Sequence, residues 1–286
     1  MRHIVDTLIE ERAASLMRNP TLWRAVKTFI YPLLGYDRAV DMSNTIRDMS
    51  ALEVFEYLSR TLSMDVRTSG LEYVPRQGAA IIMPNHPAGI ADGIAVFDAL
   101  RSVRDDITFF ANRDALRVAA GLSDMIVPVE WVDSRRSHGR RKETVKHMVE
   151  AFRSERLVVI FPSGRLAKPT PRGLVEREWQ TTAMNLALKY RCPVVPMHIR
   201  GHNSALYYFF YYIHTELRDM TLFRELLNKK NNSYELTLAE AFAPHGDSEW
   251  LTAQLRKFVA EQLPRGSRRF DPSPTASLEC REFSRS

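Results

Sequence analysis

The stretch "AAIIMPNHPAGIADGIAVFDALRSV" (79–103) decides the fold. It opens on "AAIIMP" (79–84), an unbroken apolar run of the kind a strand buried on both faces requires. It closes on "GIAVFDALRSV" (93–103), which has the length and spacing of a helix. Between them lies a short loop of small residues that carries two ionisable groups, His86 and Asp92. A strand, a tight loop and a helix form the repeating unit of α/β proteins, whose sites gather at the carboxyl ends of the strands.

The same alternation continues outward. "DITFFAN" (106–112), "MIVPVEW" (125–131), "RLVVIFP" (156–162), "PVVPMHI" (193–199) and "SYELTLAEAF" (233–242) read as strands. "ALRVAAGL" (115–122), "RKETVKHMVEAFRS" (141–154), "REWQTTAMNLALKYR" (177–191) and "SEWLTAQLRKFVAEQL" (248–263) read as the helices between and after them. The pattern predicts an α/β domain over 66–263, with a mixed, largely parallel sheet flanked by helices on both faces. Residues 1–65 read as an N-terminal helical extension. Within it, Leu22, Trp23, Val26, Phe29 and Ile30 fall on one face of a helix over 21–36 that Pro32 kinks or ends, with Arg24 and Lys27 off that face. That helix reads either as core packing or as a basic amphipathic membrane contact. Residues 264–286 are polar and rich in Pro and Ser, the composition of a disordered tail.

Composition narrows the function. The chain has 286 residues, a net charge of +6 and 45% hydrophobic content. The basic balance favours anionic partners: phosphorylated metabolites, nucleic acid or an anionic membrane surface. Two cysteines, Cys192 and Cys280, are too few for a disulfide framework. No apolar run is long enough to span a bilayer, and the N-terminus lacks a signal-peptide core. The expected location is cytoplasmic, peripheral at the inner face of the cell membrane.

Three loops after apolar strands carry the chemistry. In "NHPAGIADG", His86 is the one side chain that changes charge near neutral pH, and Asp92 is placed to orient it. Gly89 and Gly93 permit a tight turn and close substrate approach. No Ser or Cys accompanies His86, which suits direct activation of a substrate hydroxyl rather than a covalent intermediate. In "FPSGRLAKPTPRG" (161–173), Gly164, Arg165, Lys168 and Arg172 make an anion site, against the plainer reading of a basic connection. In "EWVDSRRSHGRRK" (130–142), five cations within 135–142 either reach phosphate or form a solvated basic loop.

These loops, with "CPVVPMHIRG" (192–201), resemble the glycerophospholipid (lysophospholipid) acyltransferase superfamily, in particular its bacterial hemolysin-type branch. The family block of form N-H-x(4–5)-D-G matches Asn85, His86, Asp92 and Gly93, here as the longer HxxxxxD spacing. The F-P-E-G-T-R block, which binds the acceptor's phosphate, matches Phe161, Pro162, Gly164 and Arg165. Its Glu is Ser163 here and its Thr is missing, which puts a plain glycerol-3-phosphate-type acceptor in doubt. The intermediate block, which ends near an Arg, resembles "VPVEWVDSRRS", with Arg135 or Arg136 as counterpart. The proline block matches Val195–Pro196. The resemblance covers about 65–245. It implies an O-acyltransferase of phospholipid biosynthesis that moves a fatty acyl group from acyl carrier protein or coenzyme A to the hydroxyl of a lysolipid. The acceptor would be lysophosphatidic acid or an amino-acid lysolipid. His86 and Asp92 would be catalytic, and Asn85, Gly93, Arg135, Arg136, Ser163, Gly164, Arg165, Lys168 and Pro196 would bind substrate. No metal, bound cofactor or nucleic acid is implied. Backbone N–H groups near Gly164, or a cation, would stabilise the tetrahedral oxyanion.

One further segment, "ALYYFFYYIHTELRDMTLFRELLNKK" (205–230), places six consecutive aromatics before a basic stretch. A helix cannot bury all six against one core, so some should be exposed, as at a bilayer interface or acyl-chain entrance.

Rival classes fare worse. No G-x-S-x-G elbow exists for a serine lipase, and no G-x-G-x-x-G follows the first strand for a dinucleotide enzyme. His198 and His202 have zinc-like spacing but lack H-E-x-x-H. A basic binding module leaves the His86/Asp92 pair unexplained.

Overall fold

The computed structural model describes residues 2–130 and 137–272. The chain opens with four helices: α1 (Ile4–Arg12), α2 (Pro20–Phe29), α3 (Tyr36–Ile46) and α4 (Ala51–Leu62). Local chemistry sets their ends. The Asn19 side chain accepts the Thr21 and Leu22 N–H groups at the start of α2, with Pro20 in the first turn. Ser50 and Glu53 form a reciprocal capping box at α4, and those hydrogen bonds hold the Glu53 carboxyl below its ordinary range. As anticipated, α2 stops short of Pro32, which enters a single 3₁₀ turn instead.

The sheet follows. In chain order the elements are β1 (Asp65–Ser69), β2 (Ala80–Pro84), α5 (Ile90–Leu100), β3 (Ile107–Asn112), α6 (Asp114–Val118), β4 (Ile126–Val129), α7 (His138–Arg153) and β5 (Leu157–Val159). Next come β6 (Lys168–Thr170), β7 (Gly173–Val175), α8 (Thr182–Tyr190), β8 (Val194–Arg200), α9 (Ala205–Ile213), α10 (Thr215–Met220), α11 (Leu222–Leu227), β9 (Ser233–Leu238) and α12 (Ser248–Lys257). Seven strands form one sheet in the order β1-β9-β8-β2-β5-β3-β4, while β6 and β7 pair as a separate antiparallel hairpin. All neighbours in the large sheet are parallel except β8 and β9. The mixed, largely parallel α/β architecture is therefore as the alternating sequence indicates.

β2 lies at the centre and is buried along its whole length. Its pleat sends Ile82 to one apolar layer and Ile81 and Met83 to the other. The first layer takes in α1, α3, α4 and α5: Val5, Met42, Phe55, Ala95 and Phe97 share it, and the Phe55 ring lies 5.0 Å from both Phe97 and Phe109. The N-terminal helices are thus packed into the common core. The second layer is built by α8 and α12, with Met184, Leu255 and Phe258.

Several expected boundaries shift for identifiable reasons. The helix after the His86 loop starts at Ile90, not Gly93, because Gly89 turns the chain with φ +94° and Asp92 caps the first turn. The helix expected over 177–191 forms only at 182–190, and the residues before it run irregularly, with the Trp179 indole N–H donating to the Glu176 carboxylate. The strand expected over 156–162 stops at Val159, and the strand over 233–242 stops at Leu238 with an isolated bridge at Phe242. The segment 115–122 divides into α6 and a 3₁₀ turn (120–124), and the last helix passes into a π turn at Phe258–Gln262. Residues 205–230 form three short helices. The tail does not begin at Pro264: Phe270 is buried against Phe242 and Phe258.

Candidate active site

β2 ends at Pro84, and the next residue locks the site to the sheet. The buried Asn85 side chain donates to the Ile199 carbonyl (3.0 Å) and accepts the Ile199 N–H (2.6 Å) at the end of β8. It replaces one rung of the β2–β8 ladder. Asn85→Ala leaves both Ile199 groups unpaired in a dry setting. It is expected to lower unfolding free energy by about 2–4 kcal/mol, read from urea denaturation; a change below about 0.5 kcal/mol would remove this role. Asn85 is therefore a brace rather than a substrate-binding group.

His86 follows. Its Nδ1 lies 2.9 Å from Asp92 Oδ2, and its side chain is 19% exposed while that of Asp92 is fully buried. The same Asp92 oxygen accepts the N–H groups of Ala88 (2.8 Å) and Gly89 (2.9 Å). The spacing of the motif now has a physical meaning. Asp92 is the third residue of α5, where its side chain caps the first turn of the helix. The cap carboxylate accepts the Nδ1 proton of His86, which leaves Nε2 as the ring's basic atom. The Phe161 ring covers the imidazole, centroids 4.2 Å apart.

Phe161 begins the second block, so the two sequence blocks meet. The Ala167 N–H donates to the His86 carbonyl (2.8 Å). Gly164 takes φ +58°, and its N–H donates to the Phe161 carbonyl (3.0 Å), closing a turn. That N–H is engaged within the turn, which leaves the neighbouring backbone N–H groups or a cation as the expected oxyanion donors. The exposed Arg165 side chain is the cation at this turn. Ser163 is buried and its hydroxyl donates to the Arg165 carbonyl (2.8 Å), so it builds the turn. Lys168 sits exposed on β6.

The remaining expected residues divide. Gly93 lies in α5 with open space where a side chain would project. Pro196 stands inside the sheet, opposite Met83, and its carbonyl accepts the Ala239 N–H; it is a wall residue. Arg135 and Arg136 lie outside the described residues. Cys192 is buried, which pushes its thiol up to about 11, so it offers no thiolate at neutral pH. His198 bonds the Val259 carbonyl through Nδ1 (2.9 Å), and burial holds its basicity down. Among the described residues, no group of three or more His, Cys, Asp or Glu is arranged to hold a metal.

Sequence reasoning missed Glu176 and Arg177. Glu176 is buried, and its carboxylate accepts the His86 backbone N–H (3.2 Å) and the Trp179 indole N–H (2.9 Å). Arg177 donates to the Leu166 carbonyl (2.9 Å) and to the Tyr211 hydroxyl (3.1 Å), fastening the β6–β7 hairpin to α9. Both lie in "LVEREWQ", whose mixed charges resemble an ordinary helix start; nothing local announced the long-range bonds.

A family model described as acyltransferase matches residues 65–200, which contain both blocks and β8. The lyso-glycine lipid O-acyltransferase of Bacteroides thetaiotaomicron is 26% identical over 184 residues, covering 64% of this chain and 65% of that protein. The protein of the same description from Phocaeicola vulgatus is 25% identical over 187 residues, covering 65% of this chain and 64% of that protein. Over these residues the chain is similar to lysolipid acyltransferases. It spans just under two thirds of the length of these curated relatives. A solved structure, the 1-acyl-sn-glycerophosphate (LPA) acyltransferase PlsC from Thermotoga maritima, aligns at TM-score 0.49 with 15% identity, over 94% of this chain and 100% of that one. Within the matched residues the HxxxxxD pair and the F-P-x-G-R turn meet at the carboxyl ends of β2 and β5.

Proposed function

We propose that the chain is a lysolipid O-acyltransferase that uses His86 as general base with Asp92 as its support. The observation that carries this reading is the His86–Asp92 pair at the end of a central strand, with no Ser or Cys side chain among the described residues hydrogen-bonded to the imidazole. His86 Nε2 takes the proton of the acceptor hydroxyl while that oxygen attacks the carbonyl carbon of an acyl thioester. The thiolate leaves as the tetrahedral intermediate collapses, and the imidazolium returns a proton to it. No acyl-enzyme forms. Asp92 stabilises the imidazolium, and Arg165 is the cation nearest in sequence to the turn where negative charge must be held.

The donor is the thioester of acyl carrier protein or coenzyme A, both anionic, which suits a chain of net charge +6. The acceptor is an amino-acid lysolipid. The replacement of the block's glutamate by Ser163 and the names of the two relatives both support this class over lysophosphatidic acid. Competition tests it: with one labelled acyl thioester and equal amounts of lyso-glycine lipid and lysophosphatidic acid, the amino-acid lipid is expected to take most of the label. A dominant phosphatidic acid product would overturn the acceptor assignment.

Access to such an acceptor requires a lipid surface. No described helix is long and apolar enough to cross a membrane. Helix α9 buries Tyr207 and Phe210 but leaves Phe209, Tyr212 and Ile213 more than half exposed. Its Tyr212 hydroxyl donates to the Pro169 carbonyl (3.0 Å), so this apolar rim adjoins the hairpin of the site. We assign α9 as the bilayer contact on that ground, ahead of α2, whose Phe29 is also exposed. Phe209→Asp with Ile213→Asp is expected to weaken sedimentation with anionic phosphatidylglycerol vesicles by about tenfold or more. Unchanged binding would move the contact to α2.

A further inference from the structure

The F-P-x-G-R turn lacks the glutamate that the resemblance leads one to expect, and Ser163 stands in its place. The structure nevertheless brings a buried carboxylate to this turn from further along the chain. Glu176 Oε2 accepts the backbone N–H of His86 at 3.2 Å, and Oε1 accepts the indole N–H of Trp179 at 2.9 Å. Trp179 is buried within the apolar layer that also holds Met83, Met184 and Phe258. A continuous chain of contacts therefore runs from the core through Trp179 and Glu176 to the backbone of the base. The carbonyl of the same residue is held by the Ala167 N–H at 2.8 Å. His86 is thus clamped at both backbone polar groups by the 163–179 segment, while Asp92 of α5 orients its ring.

Burial of Glu176 is costly unless its oxygens are satisfied. Burial pushes its carboxyl up, and the bonds from Trp179 and the His86 N–H draw it down. An apolar residue of the same size would leave the His86 and Trp179 N–H groups without this acceptor, so the carboxylate is what joins the base's backbone to the core.

We propose that Glu176 is a positioning residue for acyl transfer, supplying from the 176–179 turn the carboxylate that position 163 lacks and fixing His86 against the acceptor cradle. This rests on the general-base reading of His86. Glu176 itself touches no reacting atom. Its loss should therefore lower kcat and leave the KM for the lysolipid little changed.

The test uses the full chain with three variants and two readouts. The first readout is kcat and KM with an acyl-coenzyme A and lyso-glycine lipid. The second needs no turnover: the downfield proton resonance of the His86 Nδ1–H shared with Asp92, identified by its absence in His86→Gln. Glu176→Ala is expected to lose about 10²-fold in kcat, the scale of an ångström-sized misplacement, and to broaden the resonance away. Glu176→Gln keeps an oxygen for the His86 N–H and is expected to stay within about fivefold of wild type with the resonance retained. Trp179→Phe unfastens the carboxylate and should lower kcat at unchanged KM. An intact resonance and near-wild-type kcat in Glu176→Ala would overturn the proposal. If Glu176→Ala does not fold, a wild-type kcat in Trp179→Phe overturns it. Should the resonance depend on Glu176 while no acceptor is acylated by any form, the clamp stands and the proposed activity falls.

Discussion

His86→Ala is expected to abolish acyl transfer, with kcat down by about 10³-fold or more and the fold intact. Two features set this scale. The imidazole is the group that Asp92 holds at the carboxyl end of β2, and among the described residues no Ser or Cys side chain is hydrogen-bonded to it to act as a nucleophile in its place. The stability cost should be small because the side chain is partly exposed and its ring bonds only Asp92, while the backbone bonds to Glu176 and Ala167 survive the truncation. Circular dichroism and a thermal melt alongside the assay check that separation. A variant that keeps more than about a tenth of wild-type kcat would mean that the hydroxyl proton leaves by another route.

Asp92→Asn is expected to lower kcat by about 10²-fold and also to destabilise the fold. Here the hydrogen bonds decide which way the amide turns. One Asp92 oxygen accepts three N–H groups, from His86, Ala88 and Gly89. An Asn at 92 must direct its oxygen to all three, because turning its NH₂ toward them would set donors against donors. The NH₂ then occupies the position of Asp92 Oδ1, which is buried and has no protein partner. The tautomer is preserved, but the negative charge that stabilises the imidazolium is lost. An unsatisfied NH₂ is also buried, at a cost of about 1–3 kcal/mol. The two consequences are read separately, kcat by assay and stability by urea unfolding. A kcat within threefold of wild type would show that Asp92 serves the helix cap alone.

Much of this was legible in the sequence because it depends on local pattern. Apolar runs such as 79–84 and 193–199 can only be strands of a covered sheet, and the helices between them follow from spacing. The His86/Asp92 pair was visible because ionisable groups in a loop of small residues have few structural reasons to be there. The sequence did not reveal what joins distant segments. Asn85 reads as part of the site, but its work is to bridge β2 and β8. Gly164 reads as part of an anion-binding turn, and the sequence did not show that its own N–H closes that turn on Phe161. Glu176 reads as a helix-start acid, but the tertiary fold carries it to His86. In each case the residue's partner lies on another element, and residue type alone does not name that partner. The start of α5 was misplaced for a related reason: Gly89 with φ +94° and the Asp92 cap begin the helix before the apolar periodicity becomes visible.

The central claim is that His86 activates an acceptor hydroxyl for direct attack on a thioester. Its most direct test is a single-turnover reaction of wild type and His86→Ala with labelled acyl thioester and a panel of lysolipids, with products and protein both read by mass. The account predicts one new acylated lipid from wild type only, and no acyl adduct on the protein at any time. An acyl-protein species that forms and decays with the product, or equal product from His86→Ala, would contradict it.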